Sequence, residues 1–361
     1  MPHQTKRHVL FLDLVRGLAA QAVLLGHAVI LAFPALIGQA KFFYVQSWAV
    51  VVFLALSGYL IAGSVKRRLE AGTFTLSGYL KDRVARIFVP LVPLIPIVLL
   101  GDRLFLGNPP KSPYISHVDD GLGAILSNLL MLQDNWVIQV IDRISGIELS
   151  RRSLGSAAPW WTVALEWWIY LAFGCLLAVI LAKSKYRVAA LAIGLFALAT
   201  AVGTTLSGSM LISAWIVGAV IAWWAPRFSP RAWTTIAVVA TCATIGFLML
   251  EPGSVYRFPA VAGTSIAILA AFRASSWDAL KRAATPIKFV AGYSYSLYLI
   301  HFSVLIWTAA VLPAFRGVWF VLATFALANI IAVLCWAAFE RKYLVVRAWF
   351  DRLPTSRRVA S

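Results

Sequence analysis

Residues Val9 to Phe33 read VLFLDLVRGLAAQAVLLGHAVILAF, an apolar run long enough, at 1.5 Å per helical residue, to cross the roughly 30 Å hydrocarbon core of a bilayer. Yet the run carries Asp13, Arg16 and His27. Ionisable side chains at that depth are costly and mark functional sites by default. The step from Arg16 to His27 turns a helix through about 1100°, some 20° past three full turns, so both side chains share one face about 16 Å apart along the axis. A guanidinium near one end of a buried stripe and an imidazole near the other can hold two ends of one long ligand.

The rest of the chain agrees with a membrane setting. Of 361 residues, 61% are hydrophobic and only 13% charged, against about 25% charged in soluble domains, and the mean hydropathy is +0.82. Apolar stretches at 9–33, 44–63, 87–101, 160–182, 187–206, 210–225, 232–250, 258–273, 289–310 and 317–339 predict an all-α polytopic membrane protein with about ten crossings. They form a single membrane domain over 1–361. The N-terminal run is too long and too polar-studded for a signal peptide and is read as the first helix. With the N-terminus in the cytoplasm, 23 of the 32 Lys and Arg residues fall inside and eight outside, with Arg16 within the membrane. That asymmetry follows the positive-inside rule and puts both termini in the cytoplasm. It also absorbs most of the net charge of +18, including the basic tail 340–361, so no nucleic-acid partner is implied. Cys175, Cys242 and Cys335 each sit alone in apolar segments and read as core residues, neither disulfides nor metal ligands. No metal site is predicted.

Two connections stand out. The inner one, Ser64 to Arg86, carries Lys66, Arg67 and Arg68, then Arg83 and Arg86 where the third span approaches. The outer one, 101–159, is the longest in the chain. It mixes Pro109, Pro110, Pro113, His117, Asp119, Asp120 and Asp134 with an apolar piece, Leu122 to Leu132, too short to span and read as an interfacial or re-entrant helix. Long structured loops tend to be functional, so this one is expected to meet a substrate from outside.

On this topology His27 and Glu166 lie at matching depth, each about 9 Å below the outer surface. A carboxylate beside an imidazole fixes its tautomer and stabilises the imidazolium formed when it removes a proton. Arg83 and Arg86, three apart, face the same way, and guanidinium forks suit phosphate oxygens; anchoring of the span is the other reading of that pair. Asp13, one turn from Arg16, either neutralises it as an ion pair or belongs to the ligand path. In FLALSGYLI, Ser57 offers a hydroxyl and Gly58 permits close approach of a thin ligand or of another helix. In GYSYSLYLIH, Tyr298 and His301 read either as a tunnel wall or as hydrogen-bonded core groups.

The ordered set LDLVRG…GHA, VFLALSGYLI, RVARIFVPL, WWTVALEWWIY and YSYSLYLIH resembles the acyltransferase 3 family of membrane O-acyltransferases, which acylate sugars of surface glycans and some antibiotics. The second motif has only Phe53 where relatives commonly have paired Phe. The resemblance implies a cytoplasmic acyl-CoA donor, acetyl-CoA first among the choices, and a saccharide or glycolipid acceptor at the outer (periplasmic) face of a bacterial inner membrane. It implies that His27 is catalytic with Glu166, and that Arg16, Arg83 and Arg86 hold the donor. On the residues and the resemblance together, the pantetheine arm would run past Ser57 and Gly58. Membrane lipids are the other expected partners, and homo-oligomerisation is left open. An alternative is a transporter of an anionic solute or lipid-linked glycan lined by Arg16 and His27. A third is a non-catalytic partner in glycan assembly.

Overall fold

The computed structural model describes residues 4–36, 44–112, 118–181, 187–206, 208–224, 226, 228–275, 277–315 and 317–352. Pro113, His117 and the tail from 353 onward lie outside the described residues. Within them the chain is all-helical. In order the helices are α1 (Gln4–Ala32), α2 (Val45–Glu70), α3 (Leu76–Leu106), α4 (Leu122–Leu129), α5 (Trp136–Ser145), α6 (Trp161–Leu181), α7 (Arg187–Leu206), α8 (Leu211–Trp224), α9 (Pro230–Leu250), α10 (Phe258–Ala274), α11 (Ala284–Gly292), α12 (Ser294–Val311), α13 (Gly317–Ala338) and α14 (Tyr343–Arg352).

A helix stands at each of the ten expected crossings, but not every one is long enough to span. Among the described residues seven pass on length and apolarity, or eight if α10 and the segment Asp278–Gly292, bent by 93° against it, count as one. The all-helical membrane fold expected from the sequence is shown, with seven or eight candidate spans among the described residues where about ten were expected. α8 has 14 residues, about 21 Å of helix against a core of about 30 Å.

Two boundaries also move. The third helix begins at Leu76, where the Thr75 side chain caps it by accepting from the Gly78 N–H at 3.1 Å. Arg83 and Arg86 therefore sit inside a helix and not at its start. The span expected over 289–310 breaks at Tyr293, between α11 and α12. His301 is consequently two turns into α12.

α1 is the central strut, packed on α2, α11, α12 and α13. α12 is buried around nearly its whole circumference, as a helix apolar on all sides should be. A polar clasp ties α1 to α13: Gln21 and Asn329 exchange amide hydrogen bonds of 2.7 and 3.1 Å, and the Tyr293 hydroxyl donates to Asn329 at 2.8 Å. Cys175 and Cys335 are buried as expected, whereas Cys242 is exposed, because α9 presents much of its surface outward.

α2 and α8 meet backbone against backbone. A Cβ at Gly58 would run into the Trp215 carbonyl, and one at Gly218 into the Ala55 carbonyl. Small residues let helix backbones approach in this way. Gly58→Val is expected to lower stability by about 2 kcal/mol, the usual scale of overpacking. The check is a thermal melt in detergent beside the wild type; an unchanged midpoint would refute it.

The long loop is fastened to the bundle through a fully buried carboxylate. Asp102, near the end of α3, accepts from the Trp307 indole N–H at 2.7 Å and from the Ser156 backbone N–H at 2.8 Å. Gly155 adopts φ +51°, and a Cβ there would strike that carboxylate. α4 fulfils the expected short helix. It buries Ala124, Ser127 and Asn128 and leaves Leu122 and Leu126 exposed, so it lies on the bundle and does not cross it.

Candidate active site

A cavity of about 730 Å³ opens among arginines at one end of the bundle and rises between α2, α3, α6 and α12. Its size suits a ligand of drug size or larger. The wall includes Arg16, Ser57, Arg83, Arg86, Glu166 and Tyr298, six of the residues singled out from sequence. It does not include Gly58, whose face is occupied by α8.

The arginines are positioned by aromatic and carboxylate neighbours. Arg83 lies over the rings of Tyr79 and Tyr170, 5.9 and 5.6 Å from their centroids. Arg86 lies over Tyr295 and Tyr343, at 5.9 and 5.1 Å, and pairs with the buried Glu340 at 3.3 Å. Glu340 in turn accepts from the Ser296 hydroxyl at 2.7 Å and the Ser296 N–H at 3.0 Å. Arg16 pairs with Asp13 at 3.1 Å, so the ion-pair reading of Asp13 holds while Arg16 still lines the cavity. The Nε groups of Arg16 and Arg83 are buried without a hydrogen-bond partner. A buried, unpaired donor is expensive to keep, and the guanidinium groups of Arg16, Arg83 and Arg86 at one cavity suit an anionic ligand.

Halfway up, Glu166, Tyr170 and Ser57 form a hydroxyl chain. The Tyr170 hydroxyl donates to Glu166 Oε1, and Ser57 Oγ stands 2.8 Å from the same hydroxyl. The expected contact between Glu166 and His27 is absent. Depth matched the two residues, but their side chains face different neighbours around the bundle.

His27 instead meets His301. His27 Nδ1 lies 3.1 Å from His301 Nε2, and the rings stack with centroids 5.2 Å apart. His301 is fully buried, and its Nδ1 lies 2.8 Å from the Tyr298 carbonyl and 3.2 Å from that of Leu297. Carbonyl oxygens only accept, so His301 carries its proton on Nδ1 and offers a lone pair at Nε2. His27 must then donate from Nδ1, which leaves its own Nε2 as a lone pair. The network thus sets His27 in the tautomer of a base. The pair lies one layer beyond the cavity. Tyr298, in the cavity wall, is 5.8 Å from His301 ring to ring and equally far from Phe53, and its hydroxyl is bonded to Thr162 and, at 3.3 Å, to the Pro159 carbonyl.

Sequence reasoning missed Tyr170, Glu340 and Tyr343. Tyr170 had a signal, since it stands one turn after Glu166 on the same helix face. Glu340 and Tyr343 had none, because they reach Arg86 from the far end of the chain.

No curated protein and no solved structure matches the chain. A family model described as an acyltransferase domain matches residues 9–337, a span that contains every residue expected at the site. An arginine-mouthed cavity that ends at Tyr298, one layer short of the His27–His301 pair, suits an anionic ligand, and with that match over nearly its whole length the chain belongs to the acyltransferase 3 family of membrane acyltransferases.

Proposed function

We propose that the protein moves an acyl group, acetyl in the simplest case, from acyl-CoA to a saccharide hydroxyl across a bacterial inner membrane. One observation carries this reading: a single cavity runs from the arginine cluster to Tyr298, beside the His27–His301 pair. The excess of Lys and Arg in the loops at the arginine end supports a cytoplasmic entry for the donor, and the long loop 101–159 supports an acceptor arriving from the other side.

CoA phosphates would rest on Arg83, Arg86 and Arg16, with the pantetheine arm rising past Ser57 and Glu166. The thioester would pass Tyr298 to reach His27. His27 Nε2 takes the proton of the acceptor hydroxyl, the oxygen bonds to the thioester carbonyl carbon, and the carbon–sulfur bond breaks. The departing thiolate recovers the proton from His27 Nε2. Throughout, His301 Nε2 accepts from His27 Nδ1–H and steadies the imidazolium. Transfer through an acyl-histidine would use the same groups.

The test is a calorimetric titration of acetyl-CoA into the detergent-purified protein. Arg83→Ala is expected to weaken binding about tenfold or more, the scale of a lost charge-assisted contact. His27→Ala is expected to bind within about threefold of wild type, since the histidine acts on the transition state and not on the phosphates. No binding by the wild type, or an unaltered Arg83→Ala isotherm, would overturn the donor assignment.

A further inference from the structure

A second charged group stands at the cavity mouth, apart from Arg16, Arg83 and Arg86. Asp82 on α3 accepts from two guanidiniums: Arg68 of α2, through Nη2 at 2.7 Å, and Arg347 of α14, through Nε. Arg347 also pairs with Asp351 one turn later, and Lys81 bonds to Asp351 at 3.1 Å and to the Phe350 carbonyl at 2.9 Å. No residue of α14 is fully buried, so ion pairs and not apolar packing seat this helix. Tyr343, Leu344 and Arg347, one face of α14, line the cavity together with Arg68 and Asp82. α14 lies past residue 337, where the family match ends.

The two cationic groups are neighbours. Asp82 and Arg86 are one turn apart on α3, Tyr343 and Arg347 one turn apart on α14, and Arg86 lies over the Tyr343 ring at 5.1 Å. Asp82, which holds Arg68 and Arg347, therefore stands about 6 Å of helix rise from Arg86, toward the start of α3. Two guanidiniums against one carboxylate leave the group positive, and Lys81 offsets Asp351. The ion pairs engage only part of the five-donor fork of each arginine: Arg68 Nε and Nη1 and Arg347 Nη2 stay outside them. The Arg68 side chain is 40% exposed and that of Arg347 20%.

Two arginine groups one turn apart suit a ligand with two separate phosphate groups. CoA is such a ligand, with a 5′-diphosphate and a 3′-phosphate on one ribose. We infer that Arg68 and Arg347 form the subsite for the 3′-phosphate, held in place by Asp82 as a positioning residue. α14 thereby makes the protein selective for CoA over carriers that end in phosphopantetheine or lack the 3′-phosphate. The inference rests on the acyl-CoA reading above.

The experiment compares acetyl-CoA with 3′-dephospho-acetyl-CoA by calorimetry, on the full chain in detergent, for wild type, Arg347→Gln and Arg68→Gln. Wild type is expected to prefer acetyl-CoA by about tenfold or more, and each variant to reduce that preference to about threefold or less. The ratio isolates the phosphate contact, because a merely undocked α14 weakens both ligands alike and leaves the ratio intact. Arg68→Gln, on a different helix, keeps the test decisive where Arg347→Gln releases α14. An unchanged ratio in both variants, or equal wild-type affinity for the two ligands, overturns the subsite while the acyl-CoA reading stands. A wild type that binds neither ligand overturns both.

Discussion

His27→Ala is expected to lower the rate of acyl transfer by about a thousandfold, within the range a positioned general base contributes, while acetyl-CoA still binds. The reasoning starts from the hydrogen bonds. His301 directs its Nδ1–H at the Tyr298 carbonyl and its Nε2 lone pair at His27, so the one basic nitrogen left in this pair is His27 Nε2. Among the described residues no other imidazole or carboxylate touches the pair: Glu166 is bound to Tyr170, whose hydroxyl stands 2.8 Å from Ser57 Oγ, and Phe302 offers only its ring, 5.1 Å from that of His27 between centroids. The measurement is single-turnover transfer from radiolabelled acetyl-CoA to glycan in membrane vesicles, with a thermal melt confirming the fold. A variant retaining transfer within about tenfold of wild type would remove His27 from the chemistry, since loss of a general base costs about a hundredfold or more. It would also favour the reading of the chain as a non-catalytic partner in glycan assembly.

Much of this arrangement was legible in the sequence, for identifiable reasons. A continuous helix fixes axial position, so the shared face and separation of Arg16 and His27 followed from periodicity alone, and α1 runs unbroken through both. Apolar length located the helices, although it could not distinguish a span from a short buried helix such as α8. Azimuth was not legible. Glu166 and His27 have matching depth, yet which neighbour each side chain meets depends on how α1, α6 and α12 are rotated in the bundle, and no local pattern encodes that rotation. Gly58 shows the same limit. Its lack of a side chain signals a close approach, but only the packing reveals that the approaching object is the α8 backbone and not a ligand. Arg86 and Glu340 illustrate the remaining case, a pair joined by α12 and the end of α13 across most of the chain.

His301→Phe is expected to lower transfer by about a hundredfold, through His27 and without contact to substrate. The fully buried His301 supplies the acceptor that keeps the His27 proton on Nδ1, and a misdirected tautomer in a base is costly even when its geometry survives. Phenylalanine retains a ring that stacks on His27 and packs against the tilted Tyr298 ring but removes both nitrogens. His27 would then be free to carry its proton on either nitrogen, and its imidazolium would lose its partner. Glutamine offers an amide oxygen near the former Nε2, so His301→Gln is expected to recover transfer to within about tenfold of wild type. Acetyl-CoA affinity should be alike in all three proteins, because the arginines lie at the other end of the cavity. A role confined to packing predicts the reverse order, with phenylalanine, the better fit to an apolar core, outperforming the polar glutamine in both melting temperature and rate. Measuring kcat and the binding isotherm side by side for the two variants separates these outcomes: recovery by glutamine in kcat alone establishes His301 as the residue that orients the base, whereas a rate that simply follows stability assigns it to the core.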